Sequence, residues 1–287
     1  MLDLFSSPKP IIGMVHLLPL PGSPRFTGSL ADVLQRALSD ADALAAGGVH
    51  GLMVENFGDS PFFPQRVPAH VVSSLTFIAA EIRRRVPLPL GINVLRNDGR
   101  GALAVALAAG AQFIRVNILC GARVTDQGLI EGIAHDLQRD RVTLGASSIR
   151  VLADVDVKHS SPLGERRALK DEIDDTIHRG MADGIVVSGA GTGKATDPGR
   201  VHEAKDAAGA TPVFVGSGVT EVTIGESFRI ADGVIVGTAL KEGGVATNPV
   251  DPARVRALVA AAGSSSTQRA RRAQRNQRGI LDLRFEI

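Results

Sequence analysis

Short β-branched runs alternate along the chain with Ala/Leu-rich stretches whose apolar positions recur at helical spacing. The runs fall at 11–15 (IIGMV), 50–55, 89–94, 112–117, 149–157, 183–188, 212–216 and 232–237. Helical stretches lie near 29–46, 69–85, 99–109, 130–144, 165–180, 198–208, 219–230 and 251–262. Eight strands, each followed by a helix, predict βα units around a parallel sheet. Four strands are introduced by similar phrases: AGGVHGLMVE, AAGAQFIRVN, GMADGIVVSG and RIADGVIVGT. In each, Gly or Ala ends a helix and a hydrophobic strand begins at once. Such repetition favours a closed (β/α)8 TIM barrel over an open doubly wound sheet. A Rossmann fold would also need a glycine-rich turn after its first strand. The chain reads HLLPLPGSPRF there, with three prolines and no GxGxxG.

No interdomain linker interrupts residues 1–263, so one barrel is expected there, followed by a polar, arginine-rich tail at 264–287 that reads as disordered. The charge balance sharpens this division. The 287 residues carry 32 Lys+Arg and 30 Asp+Glu, but the tail holds six arginines against Asp282 and Glu286. Its net charge is +4, leaving −2 on the barrel. The basic pI of about 9.0 therefore belongs mostly to the tail, and no nucleic-acid partner is expected. The absence of Trp and Tyr also removes most platforms for stacking bases. A single cysteine, Cys120, excludes an intrachain disulfide framework and a cysteine-rich zinc site, and fits a reducing cytoplasm. Neither a signal peptide nor a spanning helix is predicted.

Candidate chemistry lies where strands end, because that face of a barrel carries the active site. In the fifth predicted strand, Val151, Ala153, Val155 and Val157 form one apolar row. The opposite row is Arg150, Leu152, Asp154, Asp156 and Lys158, with His159 just beyond. Charges facing a barrel interior are costly unless paired or used, so the row is either an internal ion-pair network or a reaction centre. The same alternation adds Glu55, Asn93, Arg115, Asn117 and Ser188, and His16 ends the first strand. Lys158 and Asp154 are the expected acid/base pair, completed by Glu55, Asp156, Asp126 or His16. Glu55, Asp154 and Asp156 offer oxygen ligands compatible with Mg2+, though no spacing demands a metal.

After the seventh and eighth strands come Gly216-Ser217-Gly218 and Gly237-Thr238. Glycines let backbone amides approach an anion, and loops seven and eight commonly hold phosphate in barrels. The segment SGAGTGK at 188–194 fails the P-loop pattern, because Ser188 stands where its first glycine should be. It reads as a loop over the mouth, with Thr192 and Lys194 as substrate contacts.

VTDQGLIEG at 124–132, LADVDVKHSSPL at 152–163, GMVHLLPLPGSP at 13–24 and VEN at 54–56 together resemble the BtpA family over about residues 8–262. The resemblance implies a phosphate-binding barrel and no settled reaction; the family is named for a role in photosystem I biogenesis. His16, Glu55, Asn56, Asn93, Asn117, Asp126, Asp154, Lys158 and His159 fall in its matching motifs. From their positions at strand ends and in the mouth loops, Asn56, Asn93, Asn117, His159, Ser188 and Thr192 are expected to contact substrate. The leading expectation is a cytoplasmic enzyme acting on a small phosphorylated metabolite, a sugar phosphate or nucleotide derivative. Isomerisation, epimerisation, aldol cleavage and glycosidic cleavage are all compatible. The alternative is a noncatalytic factor for a membrane complex, touching the membrane through the tail. Self-association is compatible with either reading.

Overall fold

Ser29 opens the first long helix with a capping box. Its hydroxyl accepts from the Asp32 amide at 3.2 Å, and Asp32 returns the bond to the Ser29 amide at 2.9 Å. The helix α1 that follows (Leu30–Ala46) buries Val33, Ala37, Ala41 and Leu44, one stripe at helical spacing. Asp40 lies in the same stripe. This pattern repeats around a computed structural model that describes residues 1–189 and 191–263; the expected tail lies outside the described residues.

Eight parallel strands close into a barrel. They are β1 (Ile11–His16), β2 (Gly51–Glu55), β3 (Leu90–Asn93), β4 (Phe113–Val116), β7 (Arg150–Val155), β9 (Gly184–Val187), β10 (Val213–Val215) and β11 (Gly233–Val236). Ring order runs β1, β2, β3, β4, β7, β9, β10, β11, and the last strand pairs with the first. Outside it lie α1, α2 (Ala69–Arg85), α3 (Gly99–Ala109), α4 (Ala134–Thr143), α5 (Leu169–Asp174), α6 (Pro198–Ala208), α7 (Ile224–Ile230) and a final helix α8 at 252–263. Gly110 ends α3 at φ 71°, the left-handed cap that the repeated phrases imply.

The barrel interior is packed at its lower end by Ile12, Met53, Phe113, Leu152, Val186, Phe214 and Ile235. Glycine makes room for the two aromatics: a Cβ on Gly91 would lie 2.1 Å from Phe113, and one on Gly233 would lie 2.4 Å from Phe214. Phe5 closes the bottom edge-on against Phe113, 5.8 Å between ring centres. Arg150 sits at this end, 3.3 Å from both Asp3 and Asp183. It is a structural pair, remote from the mouth.

One feature departs from the sequence expectation. Residues 122–131 form a hairpin, β5 (Ala122–Thr125) and β6 (Gly128–Glu131), joined by β8 (Ser160–Pro162) into a small antiparallel sheet. The fourth helix therefore begins at Ala134, not near residue 130. Gly128 at φ 95° makes the tight turn, and Ile130 packs with Ile118 and Val157 in a separate small core. Three apolar residues drawn from three segments give no helical or strand period to read.

Candidate active site at the barrel mouth

Strand register assembles the upper ring. His16 pairs with Glu55, Glu55 with Asn93, and Asn93 with Arg115, so four neighbouring strands bring these residues to one level. Two lobes open above them. One, of about 630 Å³, extends toward Gly216–Thr220 and Gly237–Ala239. The other, of about 730 Å³, extends toward Arg25, Leu95, Arg96, Asp126 and His159. His16, Glu55, Phe57, Arg115, Lys158 and Thr192 line both and form their shared centre.

Each central group has a distinct state. His16 contacts the Ala246 carbonyl through Nδ1 at 3.1 Å, and because a carbonyl can only accept, Nδ1 carries the proton. Nε2 then presents its lone pair toward Glu55, 3.8 Å away. Phe57 stacks on the ring at 4.5 Å, and burial takes the His16 pKa down to about 4 despite the nearby Glu55 carboxylate. Glu55 is held by Asn93 at 2.5 Å. Lys158 forms no ion pair among the described residues; burial, then the cations Arg115 and Arg96, lower its pKa while Glu55 and Asp154 oppose this.

Asp154 is engaged rather than free. Arg115 grips both its oxygens at 2.8 and 2.9 Å, and Asn117 adds a third donor at 2.8 Å. Burial would press the Arg115 pKa down, but the paired Asp154 carboxylate outweighs it and the net direction is upward. With its oxygens occupied, Asp154 is suited to holding Arg115 and Asn117, not to exchanging a proton.

Asp156 does not join Lys158 at the mouth. The strand ends at Val155, and Asp156 takes φ 46°, which breaks the alternation and turns its side chain outward. There it accepts from Arg123 at 2.5 Å and from Arg166 and Arg200, each at 2.6 Å, beside a separate cavity. The three carboxylates expected as Mg2+ ligands consequently do not converge. No group of His, Cys, Asp or Glu disposed to hold a metal occurs among the described residues.

The expected substrate contacts divide similarly. Asn117, His159 and Thr192 line the cavity, and His159 Nε2 lies 3.4 Å from the Thr192 hydroxyl. Asn93 serves Glu55. Asn56 is 1% exposed and ties the turn after β3, accepting from the Leu95 amide at 2.7 Å. Ser188 lies below Gly216, where an added Cβ would come within 2.7 Å of its hydroxyl. Asn56, Asn93 and Ser188 are therefore removed from the mouth surface. Asp126 reaches it at the tip of the hairpin.

The glycine turns build the inner lobe. Gly218 adopts φ 72°, and the amides of Gly218 and Val219 have no acceptor among the described residues. Ser217 lines the lobe, but its hydroxyl is spent on the 189–194 loop, accepting from the Gly189 amide at 2.7 Å and donating to the Lys194 carbonyl at 3.2 Å. A Cβ on Gly218 would fall 2.3 Å from Ala195 Cα and 2.4 Å from the Lys194 carbonyl, both backbone atoms. Gly218→Ala is accordingly expected to cost about 1–3 kcal/mol, from strain at positive φ and the displaced loop. Urea melts of the purified variant check this.

Beneath the second turn, Lys241 is fully buried and donates to Asp40 of α1 at 2.7 Å. Asp40 also accepts from the Val250 amide at 2.8 Å. This tie fixes the loop after β11 onto the first helix. Sequence reading missed Arg96, Phe57 and the Lys241–Asp40 tie. The accessible clue to Arg96 was its place just past the end of β3, level with the other mouth-forming loops.

Fold and site thus define a (β/α)8 barrel with a charged, two-lobed cavity at the C-terminal ends of its strands. Residues 7–264 match the BtpA family, and the chain belongs to that family. It is 51% identical over 257 residues to Photosystem I biogenesis protein BtpA of Synechocystis sp., covering 90% of this chain and 89% of that protein. It is 48% identical over 251 residues to an uncharacterised protein of Thermococcus kodakarensis, covering 88% and 94% respectively. Among solved structures, N-(5'-phosphoribosyl)anthranilate isomerase of Pyrococcus furiosus aligns with a TM-score of 0.51 at 12% identity, over 89% of this chain and 99% of that one. That likeness is one of fold alone. No described helix is long and apolar enough to cross a membrane.

Proposed function

We propose that the chain is an enzyme that moves a proton on a small phosphorylated metabolite, a reaction of the isomerase or epimerase class. The observation carrying this reading is that two bases, His16 Nε2 and the unpaired Lys158 amine, face one cavity whose inner lobe is bounded by the Gly216–Val219 and Gly237–Ala239 turns. Phosphate in that lobe would meet backbone amides freed by glycine, with Thr238 beside them. Phosphate would thereby fix the reacting carbons over Lys158 and His16. Lys158, its ammonium form disfavoured by burial and neighbouring cations, takes the proton. His16, neutral at physiological pH, hydrogen-bonds a substrate hydroxyl or exchanges the second proton. The Ala246 carbonyl at Nδ1 and the Phe57 ring stacked on the imidazole orient His16, while Asn93 holds the Glu55 carboxylate beside it. The aligned isomerase is named for a phosphoribosyl compound and supports the phosphate element of the reading by analogy of fold.

A thermal-shift series with inorganic phosphate and sugar phosphates tests the reading. A compound at 100 times its Kd should add about 2.7 kcal/mol to stability. For any stabilising compound, NMR in D2O should show exchange of a carbon-bound proton. Lys158→Ala should slow that exchange about 10²–10⁴-fold. No stabilisation by any phosphate, or unchanged exchange in the variant, would overturn the assignment.

The 51% identical relative supports a second reading, a biogenesis factor for a membrane complex. Here residues 264–287 would supply a basic contact for anionic lipid. Deleting them and measuring sedimentation with phosphatidylserine vesicles tests it; unchanged sedimentation would count against the tail as an anchor.

A further inference from the structure

We infer that the outer lobe binds a second anionic group, so that the substrate is negatively charged at both ends: a phosphate in the inner lobe and a carboxylate or second phosphate against Arg96. This extends, and rests on, the phosphate reading above. Arg96 is 5% exposed and forms no ion pair among the described residues. Its Nη2 donates to the Lys158 carbonyl at 2.6 Å, while Nε is buried without any partner. A guanidinium in that position is costly unless an acceptor completes it. Its neighbours do not supply one. Asp154 is already saturated by Arg115 and Asn117, Glu55 is engaged with Asn93, and Asp126 is an exposed residue held by Gln127. Arg96 nevertheless lines the outer lobe, with Arg25 on its rim. A guanidinium lining a cavity, with donors left over beyond the Lys158 carbonyl, suits a carboxylate or phosphoryl oxygen.

The two lobes meet at Lys158 and His16, so an extended ligand anchored at both ends would lay its middle carbons on the two bases. Clamping both ends limits the ligand to one register, which is how remote binding contacts orient a reacting centre.

Isothermal titration with four probes tests this: inorganic phosphate, fructose 6-phosphate, fructose 1,6-bisphosphate and 6-phosphogluconate. The two doubly anionic sugars should bind at least tenfold more tightly than fructose 6-phosphate. Arg96→Gln should bring them within about threefold of it and leave the affinity for inorganic phosphate within twofold of wild type. Arg96→Lys, which keeps charge but not the fork, should fall between. Because the cost of burying the guanidinium exceeds what Asp154, Asp126 and Glu55 return to it, ligand-free Arg96→Gln should melt no lower than wild type. Equal binding of singly and doubly anionic sugars would overturn the proposal. So would a parallel loss of phosphate affinity in Arg96→Gln, or a marked fall in its Tm, since either would make Arg96 a structural support. Failure of inorganic phosphate and every sugar phosphate on the wild type would instead bring down the underlying phosphate reading, and this extension with it.

Discussion

Replacing Asp154 by alanine is expected to cost about 3–5 kcal/mol, because it strands the Arg115 guanidinium in the barrel interior. Arg115 is 3% exposed, and Asp154 takes both of its paired donors. Among the described residues the other carboxylate acting on it is Glu55, and that group is bound to Asn93. Removing both charges should be far milder. The double variant Arg115→Met, Asp154→Leu should recover most of the loss, as apolar replacements of buried pairs commonly do. The pair is then a device that sets the shape of the mouth more than one that supplies net stability. Urea midpoints of the two single variants and the double variant decide it. A double variant no more stable than Asp154→Ala would show that the pair itself, not the stranded charge, stabilises the barrel.

Acid should destabilise the barrel through His16 by a comparable amount. Its folded pKa of about 4 lies below the ordinary 6.5, so the unfolded chain takes up the proton first as pH falls. Stability is therefore full above pH of about 6.5, declines through the interval, and levels off below about 4 for this group. The difference of about 2.5 units corresponds to about 3 kcal/mol. The cause is burial, with Lys241 and Lys158 adding to it and Glu55 opposing. Denaturation of wild type and His16→Gln at pH 7 and pH 4.5 isolates the contribution, since the other carboxylates titrate alike in both. The wild type should lose about 2–3 kcal/mol more than the variant over that range. An equal loss in both would show that folding leaves the His16 pKa at its ordinary value, so that the ring is solvated.

Much of this arrangement is legible in the sequence because it depends on local period. Helix stops before AGGVHGLMVE and its three companions give the strand positions, and alternation within each strand puts His16, Glu55, Asn93 and Arg115 on one face. Alternation fails where the backbone leaves the extended region. Asp156 reads as a mouth residue by count and is turned away by φ 46°. Chemical type also misleads where neighbours use up a group. Ser217 has the hydroxyl expected of a phosphate ligand, yet it is spent on the 189–194 loop. Pairings between distant segments leave no trace in the pattern at all. Arg96 meets Lys158 across 62 positions and Asp40 meets Lys241 across 201, so neither contact could be found by spacing, although the place of Arg96 past β3 could.

Closure of the ring between β1 and β11 has a kinetic meaning. His16 comes from the first strand and Gly237 follows the last, and a side chain at Gly237 would strike the imidazole at 2.8 Å. The Nδ1 contact of His16 spans 230 positions. The proposed reactive centre thus lies on the seam joining the first and last strands, a contact with a large loop entropy to overcome. A nascent chain holding six or seven strands would have neither the complete inner lobe nor the state of His16 described above. Ligand gripped across the seam should act as a clasp, slowing the opening of the barrel at the place where first and last strands part.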